Sequence, residues 1–391
     1  MKILHIVPSV DPAQGGVIAV IRQQSKAITE LGHQSHVLSL DDPRSACVTQ
    51  FGQPVYAMGP ARGHYRFCAA LVPWLTTHAQ QYDAIVVHGL WQYHAFGTWR
   101  ALRTQAVPYF VFPHGMLDPW FRRNYPWKHL KKWLYWPWAD YRLLRGARQV
   151  LFTCEEEKRL ARQSFWLYKA RESVVPLACE EPPAHEDAGA DAFYRLYPQL
   201  RSKRCLLFLG RIHPKKGCDL LIKAFAQIAA QQDDLHLIMA GPDQVGWQRE
   251  LKSLTQSLRV DDRIVWTGML QGSTKWAALR ASEALILPSH QENFGLVLAE
   301  SLATGTPTLL SNQVNIWREI SSQGAGLVEP DTLEGTLQLL GRWLSLDADE
   351  RRTMGKRARA CYERCFSHNA VKNHVETLLR STLLDGRTPN P

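Results

Sequence analysis

The chain has 391 residues, more than one hydrophobic core usually supports and a fit for two α/β domains of ordinary size. It contains no run of about 18 apolar residues to span a bilayer, and its eight cysteines, scattered without a Cys-x-x-Cys pair, read as reduced thiols rather than a disulfide framework or a metal site. A formal net charge of +10 favours an acidic partner without identifying it.

Residues 1–8 are interrupted too soon for a signal peptide and read as a first buried strand. Further apolar runs predict strands near 35–40, 84–88, 109–113, 149–153 and 173–176, alternating with helical stretches in the rhythm of a parallel sheet. The loop 11–16 places Gly15 and Gly16 before a helix starting near Val17, where glycine lets the backbone approach an anion and leaves helix amides free. It lacks the Gly-x-Gly-x-x-Gly pattern, which argues against a nicotinamide dehydrogenase. His88 and His114 each precede a glycine at the carboxyl end of a predicted strand. That end of a parallel sheet faces ligands, although a lone imidazole there serves structure more often than chemistry.

The segment 119–148 interleaves Trp120, Trp127, Trp133, Trp136 and Trp138 with Arg122, Arg123, Lys128, Lys131, Lys132, Arg142, Arg145 and Arg148, and Asp140 is its one acid. Such a pattern suits the headgroup zone of an anionic membrane. Nucleic acid, held by stacking and phosphate contacts, is the less favoured partner, and the plain reading is an amphipathic helix with its tryptophans buried. The polar, Pro-rich stretch that follows predicts a linker region at 181–204.

A second set of strands is predicted near 205–209, 235–240, 263–267, 284–288, 308–311 and 326–328, with helices from 347 to 384. After the first of these comes Gly210-Arg211-Ile212-His213-Pro214-Lys215-Lys216-Gly217, opening toward a helix from about Asp219. An Arg and a Lys on such a loop can neutralise a diphosphate, by a planar fork and a point charge respectively. Gly241 and Gly268-Met269 end the next two strands. The fourth leads into Glu292-Asn293-Phe294-Gly295-Leu296-Val297-Leu298-Ala299-Glu300, in which Leu296, Leu298, Ala299 and Leu302 give an apolar helical face. One carboxylate thus lies on the strand-to-helix loop, the other about two turns into the helix.

The Glu-x-Phe-Gly-x-x-x-x-Glu spacing, together with Gly-Arg-x-x-x-x-Lys-Gly, resembles the signature of the retaining family-4 glycosyltransferases. The resemblance implies the α/β GT-B fold, two Rossmann-like domains with parallel sheets facing a central cleft. Its parts would be an acceptor-side domain at 1–180, the linker region 181–204, a nucleotide-sugar domain at 205–365, and a terminal segment 366–391 whose helix packs back on the first domain. Carried over by position, Arg211 and Lys216 bind the diphosphate, Glu292 holds the sugar hydroxyls and Glu300 the ribose. Asn293, Phe294, Gly295 and Leu296 complete that corner, while Gly268 and Met269 wall the base. Gly15 and Gly16 meet the diphosphate, His114 lies near the transferred sugar, and His88 neighbours it on the acceptor side.

The implied partners are a nucleotide-diphosphate sugar and a saccharide or lipid-linked saccharide acceptor, as in bacterial exopolysaccharide, capsule or lipopolysaccharide synthesis. No cofactor or metal is expected, because the basic pair already covers the diphosphate. The expected location is the cytoplasm or the inner face of the cytoplasmic membrane. A sugar-nucleotide epimerase or phosphorylase would keep the same phosphate site. A basic membrane- or nucleic-acid-binding protein without catalysis would not need Arg211, Lys216 and Glu292 to converge.

Overall fold

The computed structural model describes residues 1–12, 16–124 and 126–384, and the chain divides into two units. The first comprises Met1–Ala178 and the chain from His368 onward. Its strands β1 (Lys2–Val7), β2 (Gln34–Ser39), β3 (Val55–Ala57), β4 (Ala84–His88), β5 (Tyr109–Phe112), β6 (Gln149–Phe152) and β7 (Glu172–Val174) form one sheet in the order β3-β2-β1-β4-β5-β6-β7. Every pairing is parallel. The central strands are continuous apolar runs because both faces are covered, and β4 is buried along its whole length. Strand order reverses between β1 and β4, so the loops after these two strands part at the switch point and leave a crevice there.

The second unit, Cys179–Ser367, repeats the plan with β8 (Arg204–Leu209), β9 (Leu235–Ala240), β10 (Ile264–Gly268), β11 (Ala284–Leu287), β12 (Thr308–Ser311) and β13 (Gly326–Glu329) in the order β10-β9-β8-β11-β12-β13. Here the switch point lies between β8 and β11. The loops that follow them carry the Arg-Lys motif and the first glutamate of the two-carboxylate motif.

Two elements depart from the sequence expectation. β3 has no predicted counterpart: it is a three-residue, half-buried strand at the sheet edge, too short to leave an apolar run. The predicted linker region 181–204 is folded into the second unit. Its helix Ala190–Leu196 buries Phe193 and packs on the helix Gly272–Arg280. Arg280 donates to the carbonyls of Ala188 at 2.7 Å and Pro183 at 3.0 Å, so backbone that reads as loop is tied down by one guanidinium.

The helix His368–Leu384 joins the first unit by packing on the helix Gly16–Glu30. Val371, Val375 and Leu379, four residues apart, form its buried stripe. His368 (2.8 Å) and Lys372 (3.4 Å) pair with Glu30 at the surface. Exposed pairs contribute about 0–1 kcal/mol, against roughly 1.5–3 kcal/mol for each buried aliphatic side chain, so the apolar stripe dominates. Among the described residues no helix is long and apolar enough to cross a membrane.

Candidate functional site

In the second unit, the loop after β8 ends in the short turn Pro214–Lys216, capped by His213 Nδ1, which accepts from the Lys215 amide at 3.1 Å. Gly217 follows at φ 67, a left-handed conformation, and a Cβ there would run into the Pro288 carbonyl oxygen. Only glycine lets the loops after β8 and β11 touch in this way. The His290 amide fastens them further by donating to the Lys215 carbonyl at 2.9 Å.

This approach sets Lys216 Nζ directly against the Glu292 carboxylate. The Glu292 backbone is held from the other side, donating to Gln313 O at 3.1 Å and accepting from Asn315 N at 3.0 Å. Burial pulls Lys216 down to about 7, with Lys215 and Arg211 adding like-charge repulsion. The contacting Glu292 carboxylate works the other way and keeps the two as an ion pair. Arg211 lies exposed on the same loop, one guanidinium nitrogen donating to Gln244 Oε1 at 3.2 Å. The sequence motifs therefore converge as a cationic loop with one carboxylate, at the crevice where open α/β sheets bind ligands.

Gly295, at φ 72, caps the helix Leu296–Ala303. Glu300 lies within that helix, and Lys275 reaches it from the helix Gly272–Arg280 at 2.5 Å. Burial raises the Glu300 carboxyl, Lys275 opposes the shift and Glu180 adds to it. Lys275 is invisible to the motifs because a single helical lysine carries no pattern. Asn293 accepts from the Asn315 side-chain amide at 3.3 Å, and Leu296 opens the helix partly exposed. Phe294 is turned into the interior, edge-on to Phe366 at 5.6 Å, where it anchors the corner. Gly268 ends β10 at φ 69, and its carbonyl accepts from the Gly241 amide, while the Met269 side chain is exposed. The chain holds one Asp-x-Asp pair, Asp347 and Asp349, at the start of the helix Ala348–Cys365. Asp347 is spent capping a helix through the amides of Asp349 and Glu350.

In the first unit, the loop after β1 is held by Asp41, which accepts from Val10 N at 2.7 Å and pairs with Arg66 at 2.8 Å. Arg66 also donates to Pro8 O at 2.7 Å. Gly16 is the first residue of its helix, and Gly15 lies outside the described residues. His88 and His114 meet side by side, His88 Nδ1 lying 3.0 Å from His114 Nε2. His114 has φ 52, a backbone state that costs an L-residue about 1–2 kcal/mol. Buried Glu157 holds that corner by accepting from the Gly115 amide at 2.6 Å, and from the Thr153 amide and hydroxyl at 2.7 and 2.6 Å.

A third imidazole continues the row, since His5 Nδ1 lies 2.9 Å from His88 Nε2. Burial lowers His114 to about 3 and His5 to about 4, and takes His88 well below the usual range. All three are therefore neutral near pH 7.

The basic tryptophan segment divides. Trp136 is buried, its indole N–H donating to Trp166 O at 2.8 Å. Trp127 is 80% and Trp138 67% exposed, and Leu130, Trp133, Leu134, Trp166 and Leu167 are exposed as well. No residue of the helix Pro126–Tyr135 is buried. Lys128 and Lys131 are exposed, whereas Lys132 lies half-buried 4.6 Å over the Trp91 ring. Beneath it Asp140 is fully buried, accepts from Trp91 N at 3.1 Å, and is pushed by burial up to about 7.

The family model "Glycosyl transferases group 1" matches residues 198–360, and the model "Glycosyl transferase 4-like domain" matches residues 15–178. Mannosylfructose-phosphate synthase of Agrobacterium fabrum is 31% identical over 124 residues, 30% of this chain and 27% of its own. D-inositol 3-phosphate glycosyltransferase of Nocardia farcinica is 31% identical over 222 residues, 54% of this chain and 48% of its own. The matched stretches thus span from about a quarter to about half the length of these relatives. Among solved structures, Anabaena HepE in complex with UDP and glucose superposes with a TM-score of 0.72 at 18% identity, over 97% of this chain and 100% of that one.

Proposed function

Since the chain belongs to the glycosyl transferases group 1 family and has the two Rossmann-like domains of a family-4 GT-B glycosyltransferase, we propose that it is a retaining hexosyltransferase. It moves a sugar from a nucleotide diphosphate to a saccharide acceptor of bacterial surface-polysaccharide synthesis. The observation that carries this reading is the contact of Lys216 with Glu292 at the β8/β11 switch point, beside Arg211. An arriving diphosphate takes Arg211 and Lys216 as counter-charges, which frees Glu292 to accept hydrogen bonds from the sugar hydroxyls. Glu300, aligned by Lys275, takes the ribose. Gly268, Met269 and the Asn293–Leu296 corner bound the nucleotide.

As charge develops on the leaving phosphate, donors already in place each stabilise it by roughly 2–4 kcal/mol. The acceptor hydroxyl attacks from the face that the diphosphate leaves and gives its proton to the departing phosphate oxygen. From the first unit, the family resemblance assigns His114 to the sugar, His88 to the acceptor and Gly16 to the diphosphate. The two basic side chains supply the charge that a metal would otherwise bring, so transfer proceeds without one. Exposed Trp127, Trp138, Lys128 and Lys131 favour a lipid-linked acceptor, met by a protein resting on an anionic cytoplasmic membrane surface.

The test is a thermal-shift panel of sugar nucleotides, beginning with UDP-sugars because HepE was solved with UDP and glucose. A ligand at one hundred times its dissociation constant stabilises the fold by about 2.7 kcal/mol. The donor so found is then incubated with acceptor and with excess chelator. Acceptor-dependent release of nucleoside diphosphate, with the anomeric configuration kept and no loss to chelator, is the expected result. Conversion of the sugar nucleotide without acceptor points instead to an epimerase, and silence across the panel to a binding protein.

A further inference from the structure

His5 and His88 lie on adjacent strands, and His114 lies two residues past the end of the next strand, so the three rings form a staircase. In register, His5 lies opposite Val86, two residues before His88, and His88 lies opposite Phe112, two residues before His114. With a side-chain period of two, the step from His5 to His88 keeps the imidazole on the same face, one strand over and one pleat onward, and the turn after β5 brings His114 against His88. The rings meet through nitrogens 2.9 and 3.0 Å apart, and His88 and His114 are within 17° of coplanar. His94 adds a clamp, its Nε2–H donating to the His88 carbonyl at 2.8 Å.

Three neutral imidazoles carry three N–H protons, and each of the two inter-ring contacts uses one. The third must sit at an end. At the buried end, His5 Nε2 has no hydrogen-bond partner among the described residues. It borders a cavity of about 30 Å³ whose walls include Ile3, Ile28, Ala84 and Val86. At the other end His114 is only half-buried, and its Nδ1 bonds to no described residue. A buried N–H without a partner is rarer and costlier than a bare acceptor, whereas an accessible N–H is satisfied by solvent or ligand.

We infer that His5 and His88 are positioning residues that lock His114 as a neutral hydrogen-bond donor at Nδ1, directed at an oxygen of the sugar or its phosphate. The protons lie on His5 Nδ1, His88 Nδ1 and His114 Nδ1, each of the first two donating to the Nε2 of the next ring. His114 then cannot accept a proton at Nδ1 as a general base, because that nitrogen already carries one. Its contribution is orientation and polarisation of an oxygen. Burial keeps all three rings uncharged near pH 7, which is the state this arrangement needs.

The inference rests on the reading of His114 as sugar-facing, and the two fail separately. Long-range proton–nitrogen correlation spectra of protein labelled with 15N-histidine report each ring's tautomer without any ligand. Nδ1–H at His114 is expected in the wild type. Nε2–H there, or a charged ring at pH 7, overturns the relay whatever the variants do. His5→Asn, whose amide can donate from the place of Nδ1, is expected to keep the His114 tautomer. His5→Leu is expected to mix it and to lower release of UDP from UDP-glucose, or of the nucleoside diphosphate from whichever donor the panel selects, by about tenfold, the worth of one oriented hydrogen bond. Full activity and an unmixed tautomer in folded His5→Leu count against the relay, while full activity of His114→Ala counts against the sugar-facing role.

Discussion

Replacing Lys216 by Met keeps much of the side chain's length and removes its charge, and the consequences follow from the Glu292 contact. On the proposed role, a charge-stabilising donor at the leaving phosphate is lost, which for one such donor costs about 2.7–4 kcal/mol, or 10²–10³ in turnover. The Glu292 carboxylate is also left without its partner. Breaking a fully buried pair costs about 3–5 kcal/mol, but Glu292 is 21% exposed, and solvent screening brings the fold's loss to roughly 1 kcal/mol. Lys216→Met is therefore expected to turn over about a hundredfold more slowly while melting only a few degrees lower. Glu292→Gln alone should impair transfer and spare affinity for the free nucleoside diphosphate.

The double variant is the discriminating one. If the two side chains act as one unit, its loss in kcat/KM should fall short of the sum of the single losses by at least about 1 kcal/mol, as expected for residues in contact. Turnover is followed by nucleoside diphosphate release and stability by thermal melting. Strict additivity, or wild-type turnover in folded Lys216→Met, would falsify the proposal that the pair is the diphosphate and sugar clamp.

Glu300→Gln and Lys275→Met should both weaken binding of free nucleoside diphosphate, measured by calorimetry. Equal affinity in wild type and Glu300→Gln would remove the ribose role. Asp140, raised to about 7 by burial, favours the folded state at pH values where it is protonated. That contribution is complete below about 3.9, the unfolded value, and is lost as pH rises through 7. The melting-temperature difference between wild type and Asp140→Asn should accordingly move in favour of Asn from pH 5 to pH 8; a constant difference refutes it. His5, His94 and His114 act in the opposite direction: held neutral at about 4, 4 and 3, they favour the fold above the unfolded value near 6.5. Wild-type stability should fall as pH drops from 6.5 toward 4, and a flat melting profile over that range would contradict their burial. Lys128→Glu with Lys131→Glu should abolish sedimentation with anionic vesicles at low salt, since each basic residue near such a surface contributes about 1 kcal/mol, and leave activity on a water-soluble acceptor intact. Wild-type protein that ignores those vesicles sinks membrane docking. Lys132 is left alone in that test because it packs over Trp91, above Asp140.

What the sequence made legible was set by how local each signal is. The Arg211–Gly217 loop and the Glu292–Gly295 corner follow uninterrupted apolar runs, so their places after parallel strands could be read directly, and chain reversal at each strand end brought them to one crevice. His5 could not be read that way. Inside Lys2–Val7 it looks like one more residue of a buried strand, and its chemical place depends on register against a strand some eighty residues away. Lys275 and β3 lacked any repeating pattern. The tryptophan segment showed its composition but not its division, because Trp136 is buried against Trp166, Phe165 and Trp91, which come from other parts of the chain. Residues 181–204 misled for a related reason: a proline-rich polar run looks like tether until Arg280 is seen to bind its carbonyls.

The return of the helix His368–Leu384 to the first unit also bears on how the protein is made. During synthesis the strands of that unit emerge first, yet the helix that covers Gly16–Glu30 emerges only after the whole second unit has been translated. Until then the nascent chain keeps an apolar face open beside a nearly finished sheet, the kind of surface on which chaperones act and aggregates start. A chain cut near residue 367 would leave the second unit whole beside a first unit that lacks this cover, and quality control would have something to recognise.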